Sequence, residues 1–303
     1  MKILLNILIL TFFLSPSAYS TILDGVKASN EIEYTIRLKN GDILTGYITE
    51  FVSSSNLDEG DGIKLRTSIG KATIYESQIA EICINGEDSR SQHRIYMLPT
   101  AEGIGNNHYI GLFEMLFLYT GVGITDWVSI TAGTTLLPGT RWDEQIKICN
   151  LKLTVYNQKP YPLGDGFSFA VGGNLAFVNN NNRIVNIYGA GTYQGEKTTL
   201  TASVFYKTGG ESFYVLNFGE NSINMVYEEG AIGIGIGIET KFSTWKNFHF
   251  IGELWNNNVA KPTRSGVLLG FRLGNTLVSA DFGLAFFTQP LIVPFTSFVF
   301  TPF

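Results

Sequence analysis

Residues 231–239 read Ala-Ile-Gly-Ile-Gly-Ile-Gly-Ile-Glu. Side chains of a strand alternate between two faces with a period of two. Extended, this run places Ile232, Ile234, Ile236 and Ile238 on one face and Gly233, Gly235, Gly237 and Glu239 on the other. A helix would scatter the same isoleucines around its circumference. One face is strongly apolar, and the other is nearly bare and ends in a charge. That is the signature of a strand with lipid on one side and a lumen on the other.

Composition fits the same architecture. The charged fraction is 16%, below the roughly 25% usual in soluble domains. The chain has 33 glycines, 22 phenylalanines, 14 tyrosines and 4 tryptophans. Glycine serves tight turns and luminal clearance, and aromatics serve interfacial girdles. A net charge of −5 leaves no basic footprint for nucleic acid. Cys83 and Cys149 could pair in an oxidising periplasm, but they fall in different domains and are read first as two buried unpaired thiols.

The N-terminus reads as a cleavable secretory signal over residues 1–20. Lys2 supplies the positive start, residues 3–14 an apolar core, and Ala18-Tyr19-Ser20 a small-residue cut site. The apolar run is shorter than the roughly 20 residues of a spanning helix. Residues 21–93 are expected to form a small β domain with a polar linker at 85–93, and residues 94–303 a membrane barrel. Within the small domain, segments 31–39 and 42–51 alternate around Asn40-Gly41, the strongest short hairpin signal.

This first domain resembles the Sm-like and SH3-like small β-barrels through IRLKNGDILTGYI (36–48), IKLRTSIGKATI (63–74) and IAEICI (79–84). The resemblance implies five short, bent strands. A secreted setting leaves two readings for residues 32–84, a module that binds a periplasmic protein partner or a plain structural cap, and turns the domain away from nucleic acid.

From residue 94 onward, alternating segments recur: 94–101, 108–121, 127–137, 146–157, 167–178, 183–193, 198–207, 230–241, 247–256, 265–274, 277–287 and 292–303. The fold class is therefore all-β: a small Sm/SH3-like domain followed by a transmembrane antiparallel barrel of about 12 strands. Two further segments, 212–219 and 223–228, make 14 the alternative. An even count puts the short even-numbered connections on the periplasmic side and the long connection 208–229 on the other. The terminal Phe303 resembles the final aromatic of outer-membrane barrels and implies handling by a barrel-assembly machinery. The stretches RIYMLPTA (94–101) and GVGITDWVSITAGTTLLPG (121–139) also resemble outer-membrane barrel proteins with no assigned activity.

Parity assigns faces. Phe113, Phe117, Leu151, Leu153, Phe169, Val171, Leu269 and Phe282 belong to the lipid face, with outer-membrane lipid as partner. Trp127, Trp142, Tyr161, Tyr193, Trp245 and Trp255 lie near strand ends, where girdles sit. The polar candidates for the lumen are Glu114, Asn150, Lys152, Glu239, His249, Glu253, Arg272 and Asp281. Opposite charges in a confined lumen pair across it, whereas an acidic excess gives an open pore a cation preference. Segment 108–121 is apolar on both faces around Glu114, so something is expected to pack against it inside. The space cleared by Gly233–Gly237 is expected to be filled, with the long connection 208–229 as the occupant.

No catalytic, metal or cofactor set stands out. His249 and Glu253 lie four apart on one strand face, too far to be direct neighbours. Three histidines and two separated cysteines lack zinc spacing, and there is no phosphate-binding glycine loop. The expectation is a non-enzymatic barrel without cofactors. A small passive pore comes first, an anchor for a periplasmic binding module second, and a lipid-modifying enzyme last.

Overall fold

The structure, a computed structural model, describes residues 23, 26–53, 61–84, 93–106, 108–158, 166–178, 182–195, 197–218, 221–242, 248–274, 278–288 and 291–301. The expected signal peptide, most of the linker, Tyr161, Trp245 and Phe303 lie outside them. The chain divides into two compact units, residues 1–83 and 84–303.

The first unit is one antiparallel sheet. Its strands are β1 (Glu33–Leu38), β2 (Ile43–Val52), β3 (Gly62–Thr67), β4 (Gly70–Tyr75) and β5 (Ile79–Ile84), in spatial order β4-β3-β2-β1-β5. The hairpin at Asn40-Gly41 closes β1 on β2, with Gly41 at φ 95°, a conformation open to glycine at no steric cost. Alternation sends Tyr34 and Ile36 of β1, Ile48 of β2, and Ile63 and Leu65 of β3 inward, and Ile79 and Ile82 of β5 are also buried.

The second unit is a closed antiparallel barrel of 12 strands. They are β6 (Tyr109–Glu114), β7 (Phe117–Gly123), β8 (Val128–Thr135), β9 (Lys147–Gln158), β10 (Gly166–Val178), β11 (Asn182–Gln194) and β12 (Thr198–Gly210). After a separate hairpin, β13 (Phe213–Phe218) and β14 (Asn221–Val226), come β15 (Ile232–Lys241), β16 (Phe248–Asn256), β17 (Ser265–Gly274), β18 (Val278–Phe287) and β19 (Leu291–Phe300). β19 pairs with β6 to close the ring.

The barrel is apolar outside and polar inside. Ile232, Ile234, Ile236, Leu151, Leu153, Phe169, Val171, Leu269, Phe282 and Leu284 are exposed on its outer surface. Asn150, Lys152, Glu239, His249, Glu253, Arg272 and Asp281 are buried. A water-soluble protein places these classes the other way round. The outer belt needs a hydrocarbon solvent, and the closed ring leaves no unpaired sheet edge inside it. The molecule is a transmembrane β-barrel.

The count of 12 arises differently from the expected segments. Residues 94–101 form no wall strand. Segment 108–121 is instead a hairpin, β6 and β7, turning at Met115-Leu116. Met115 has φ 48°, the one positive value at a non-glycine among the described residues. Glu-Met-Leu-Phe carries no Asn-Gly or Asp-Gly signal, which is why its pattern reads as one uninterrupted strand. The turn reverses the parity of the second half of the segment. Phe117 belongs to the inner face with Tyr119, and Leu118 is exposed outside. Trp255 is likewise no girdle residue: it is buried and packs over Gly266, where a Cβ would come within 2.5 Å of the indole. Cys149 is free and exposed on the outer face, not buried. The long connection adds no wall strands. β13 and β14 form their own two-stranded sheet, and Tyr214 packs it onto Ala176, Val178 and Ile184.

Candidate functional site

Residues 93–106 lie inside the barrel as a plug packed against its inner wall. The segment begins as a tight loop in which Ile95 N–H donates to Leu98 O (3.0 Å) and Thr100 N–H to His93 O (3.2 Å). Its apolar side chains meet inner-wall patches on opposite sides. Ile95, Tyr96 and Leu98 pack with Ile251, Trp255, Leu268, Ala285 and Phe295 on β16–β19. Ala101 packs with Ala170, Tyr188 and Ala190 on β10 and β11. Ile104 packs with Ile110, Leu112 and Tyr119 on β6 and β7. The double-sided apolarity of the first hairpin thus has its cause: one side faces lipid and the other faces this plug.

Wall side chains hold the plug chiefly through its backbone. Glu253 accepts the N–H groups of Tyr96 (2.7 Å), Met97 (3.0 Å) and Leu98 (3.0 Å). Arg272 donates to Ile95 O at 2.5 Å. The Lys152 ammonium, fully buried, donates to His93 O (2.9 Å) and Thr100 O (3.0 Å). Thr192 Oγ1 accepts the Ala101 N–H, and Thr154 donates to Ala101 O. Ser129 accepts from Ile104 N–H, and Asp126 from Asn106 N–H. Arg94 adds a side-chain ion pair to Glu114 and lies 4.9 Å over the Tyr119 ring. A buried main-chain group without a partner costs about 1–3 kcal/mol. The wall supplies partners where no secondary structure of the plug does.

A second cluster braces the wall behind the plug. Arg272 donates to both Asp281 oxygens (2.6 and 2.9 Å) and to Glu239 (2.6 Å). His249 Nδ1 is 2.8 Å from Glu239, and Ser297 donates to Asp281 at 2.8 Å. Asn150 donates to Asn174 (2.7 Å), which donates to Asn186 (2.8 Å). The structure therefore brings Glu239, His249, Arg272 and Asp281 together. Glu253, four residues from His249 on the same strand, binds the plug instead of joining this cluster. Lys152 and Asn150 serve separate groups on β9.

The space over the isoleucine–glycine strand is occupied by the plug and not by the long connection. A Cβ at Gly235 would collide with Leu98, and one at Gly237 would lie 3.2 Å from Ile95. At the other end, Gly123 meets the Gly105 carbonyl so closely that no side chain fits between them. Sequence reasoning missed Thr154, Thr192 and Ser129 as anchors, since small hydroxyls on inward positions look like generic lumen lining. The signal that pointed to the plug was the apolar inner face of residues 110–112. Among the described residues, no group of His, Cys, Asp and Glu is arranged to hold a metal.

Fold and site together define a transmembrane barrel that holds a segment of its own chain against its inner wall. No family model matches the sequence, and no curated protein matches it. Among solved structures, a KdgM porin covers 65% of this chain and 98% of its own at 11% identity and a TM-score of 0.40. OmpF from Salmonella typhi, in a complex with daunomycin, covers 89% and 95% at 10% identity and a TM-score of 0.32. OccK11 (OpdR) from Pseudomonas aeruginosa covers 90% and 94% at 8% identity and a TM-score of 0.35.

Proposed function

We propose that this protein is an outer-membrane channel whose resting state is closed by residues 93–106. The observation that carries this reading is the contrast between the plug and its socket. The wall is a complete closed ring without the plug, and the plug crosses its lumen without adding a strand to it. A plug held by hydrogen bonds to wall side chains can leave while the ring persists. The expected experiment is conductance in planar bilayers. The native chain should conduct weakly, and a chain with residues 94–105 replaced by Gly-Ser repeats of equal length should form open pores. Equal conductance of the two, with both showing the heat-modifiable gel shift of an assembled barrel, would sink the reading.

For the N-terminal unit, the reading is a periplasmic interaction module of Sm/SH3-like type. It is supported by five short strands in one antiparallel sheet. Deleting residues 26–84 should remove a specific periplasmic protein from pull-downs and leave the barrel's gel shift intact. An unchanged set of partners argues against it.

A further inference from the structure

The plug also shows what the lumen can recognise. A water-filled pore is lined by polar side chains, yet the inner faces of β16–β19 carry an apolar patch of Ile251, Trp255, Leu268 and Phe295. Beside this patch stand Glu253, which accepts three successive backbone N–H groups, and Arg272, which donates to the carbonyl preceding them. Across the lumen Lys152 takes two more carbonyls. These charges read main-chain atoms, which every peptide carries, while the patch asks only for apolar side chains. Met97, between the two patch-filling residues Tyr96 and Leu98, is 53% exposed and has no such demand placed on it.

We propose that the inner wall is a binding site for short apolar peptides, which compete with residues 93–101 for Glu253, Arg272, Lys152 and the β16–β19 patch. This rests on the plugged-channel reading and names the class of solute that the passage takes. The donor and acceptor pattern excludes a simple sugar as the best occupant. A sugar offers hydroxyls but neither three aligned N–H donors nor apolar side chains. It also disfavours a small anion, because the Glu253 carboxylate stands beside the patch as an acceptor that needs N–H donors.

The competition is unequal, because the plug is tethered. A short tether gives an effective concentration on the order of millimolar, so a free peptide must reach a similar level. The test uses the native full-length protein in detergent and follows amide hydrogen exchange at Tyr96, Met97 and Leu98. The probe is the acetylated and amidated heptapeptide Val-Phe-Leu-Leu-Pro-Ser-Ala at about 5 mM. Matched controls are a Gly/Ser heptapeptide and maltoheptaose. The apolar peptide should speed exchange at the three amides at least about threefold, and the controls should leave it unchanged. Unchanged exchange with the apolar peptide, or equal acceleration by a control, would overturn the proposal.

A second measurement reads the same site without the plug. In the Gly-Ser replacement chain, the apolar peptide should block current, and the added change Glu253→Ala should weaken that block. The two readings fail separately. An open replacement pore that no peptide blocks removes the peptide site and leaves the channel. A native protein whose exchange responds to peptide but whose replacement never conducts removes the channel and leaves the peptide site. Should the replacement not assemble, the exchange experiment on the native chain decides alone.

Discussion

Arg272 is the residue on which the polar interior turns. Its guanidinium reaches Asp281, Glu239 and the Ile95 carbonyl at once, the fork geometry that suits arginine to several acceptors in one plane. Buried charges are tolerated only when paired and hydrogen-bonded. Removing the cation leaves two buried carboxylates facing each other and a plug carbonyl without its donor. Breaking a buried pair from one side costs about 3–5 kcal/mol. Arg272→Ala should therefore lower the barrel's resistance to urea by about that amount, measured by the loss of the heat-modifiable band. Arg272→Lys should recover only part of it, since an ammonium reaches fewer of these acceptors. A loss under about 1 kcal/mol, the scale of an exposed pair, would show that the cluster is solvated.

At the scale of elements, the ring has one short joint. β10 and β11 pair over thirteen residues, from Gly166 opposite Gln194 to Val178 opposite Asn182. β19 and β6 pair only from Ser297 opposite Glu114 to Phe300 opposite Gly111. The hairpin β6–β7 is short because it turns at Met115, and Met115 N–H donates to Thr296 O (3.0 Å) just above the ladder. Pro294 lies on the stretch of β19 beyond that ladder. A proline lacks the N–H that a central strand needs and is at home where one side has no ladder to complete. Stability in a protein is distributed, and regions with few hydrogen bonds open first. Backbone amides of residues 111–114 and 297–300 should exchange faster than those at the middle of β10 and β11. Equal protection would mean that the plug, packed on Ile110 and Leu112, splints the joint.

The element scale also shows where the sequence was legible. Ten of the wall strands lie close to their expected segments because each keeps its alternation over a full membrane crossing. The remaining two were hidden in one apolar run. Residues 94–101 alternate as a strand does, since a loop buried among apolar patches also needs apolar side chains at intervals. Alternation reports which side chains must avoid water. It does not report whether the backbone pairs with a neighbour.

At the scale of the molecule, the outer surface and the inner surface obey different constraints. The outer surface meets one solvent, hydrocarbon, so every outward position along a strand faces the same demand. The four isoleucines of β15 meet that demand, and their reading from sequence needed no knowledge of any other strand. The inner surface meets whatever the rest of the chain brings there. Glu239, Lys152 and Glu253 were readable as inward by parity. That Glu239 joins Arg272, 33 positions along the chain, while Glu253 grips Tyr96, Met97 and Leu98, 157, 156 and 155 positions away, depends on how the ring closes.

The alternation along the chain specifies a transmembrane barrel with a lipid-facing belt and a polar interior, because a period-two pattern is a local property of each strand. That residues 93–106 lie inside the ring, and that the glycines of β15 make room for Leu98 and Ile95, emerges from the assembled fold alone. That choice is a consequence of closure. A segment enclosed by a ring of strands finds its hydrogen-bond partners on walls from every side, and no local pattern encodes which walls those will be.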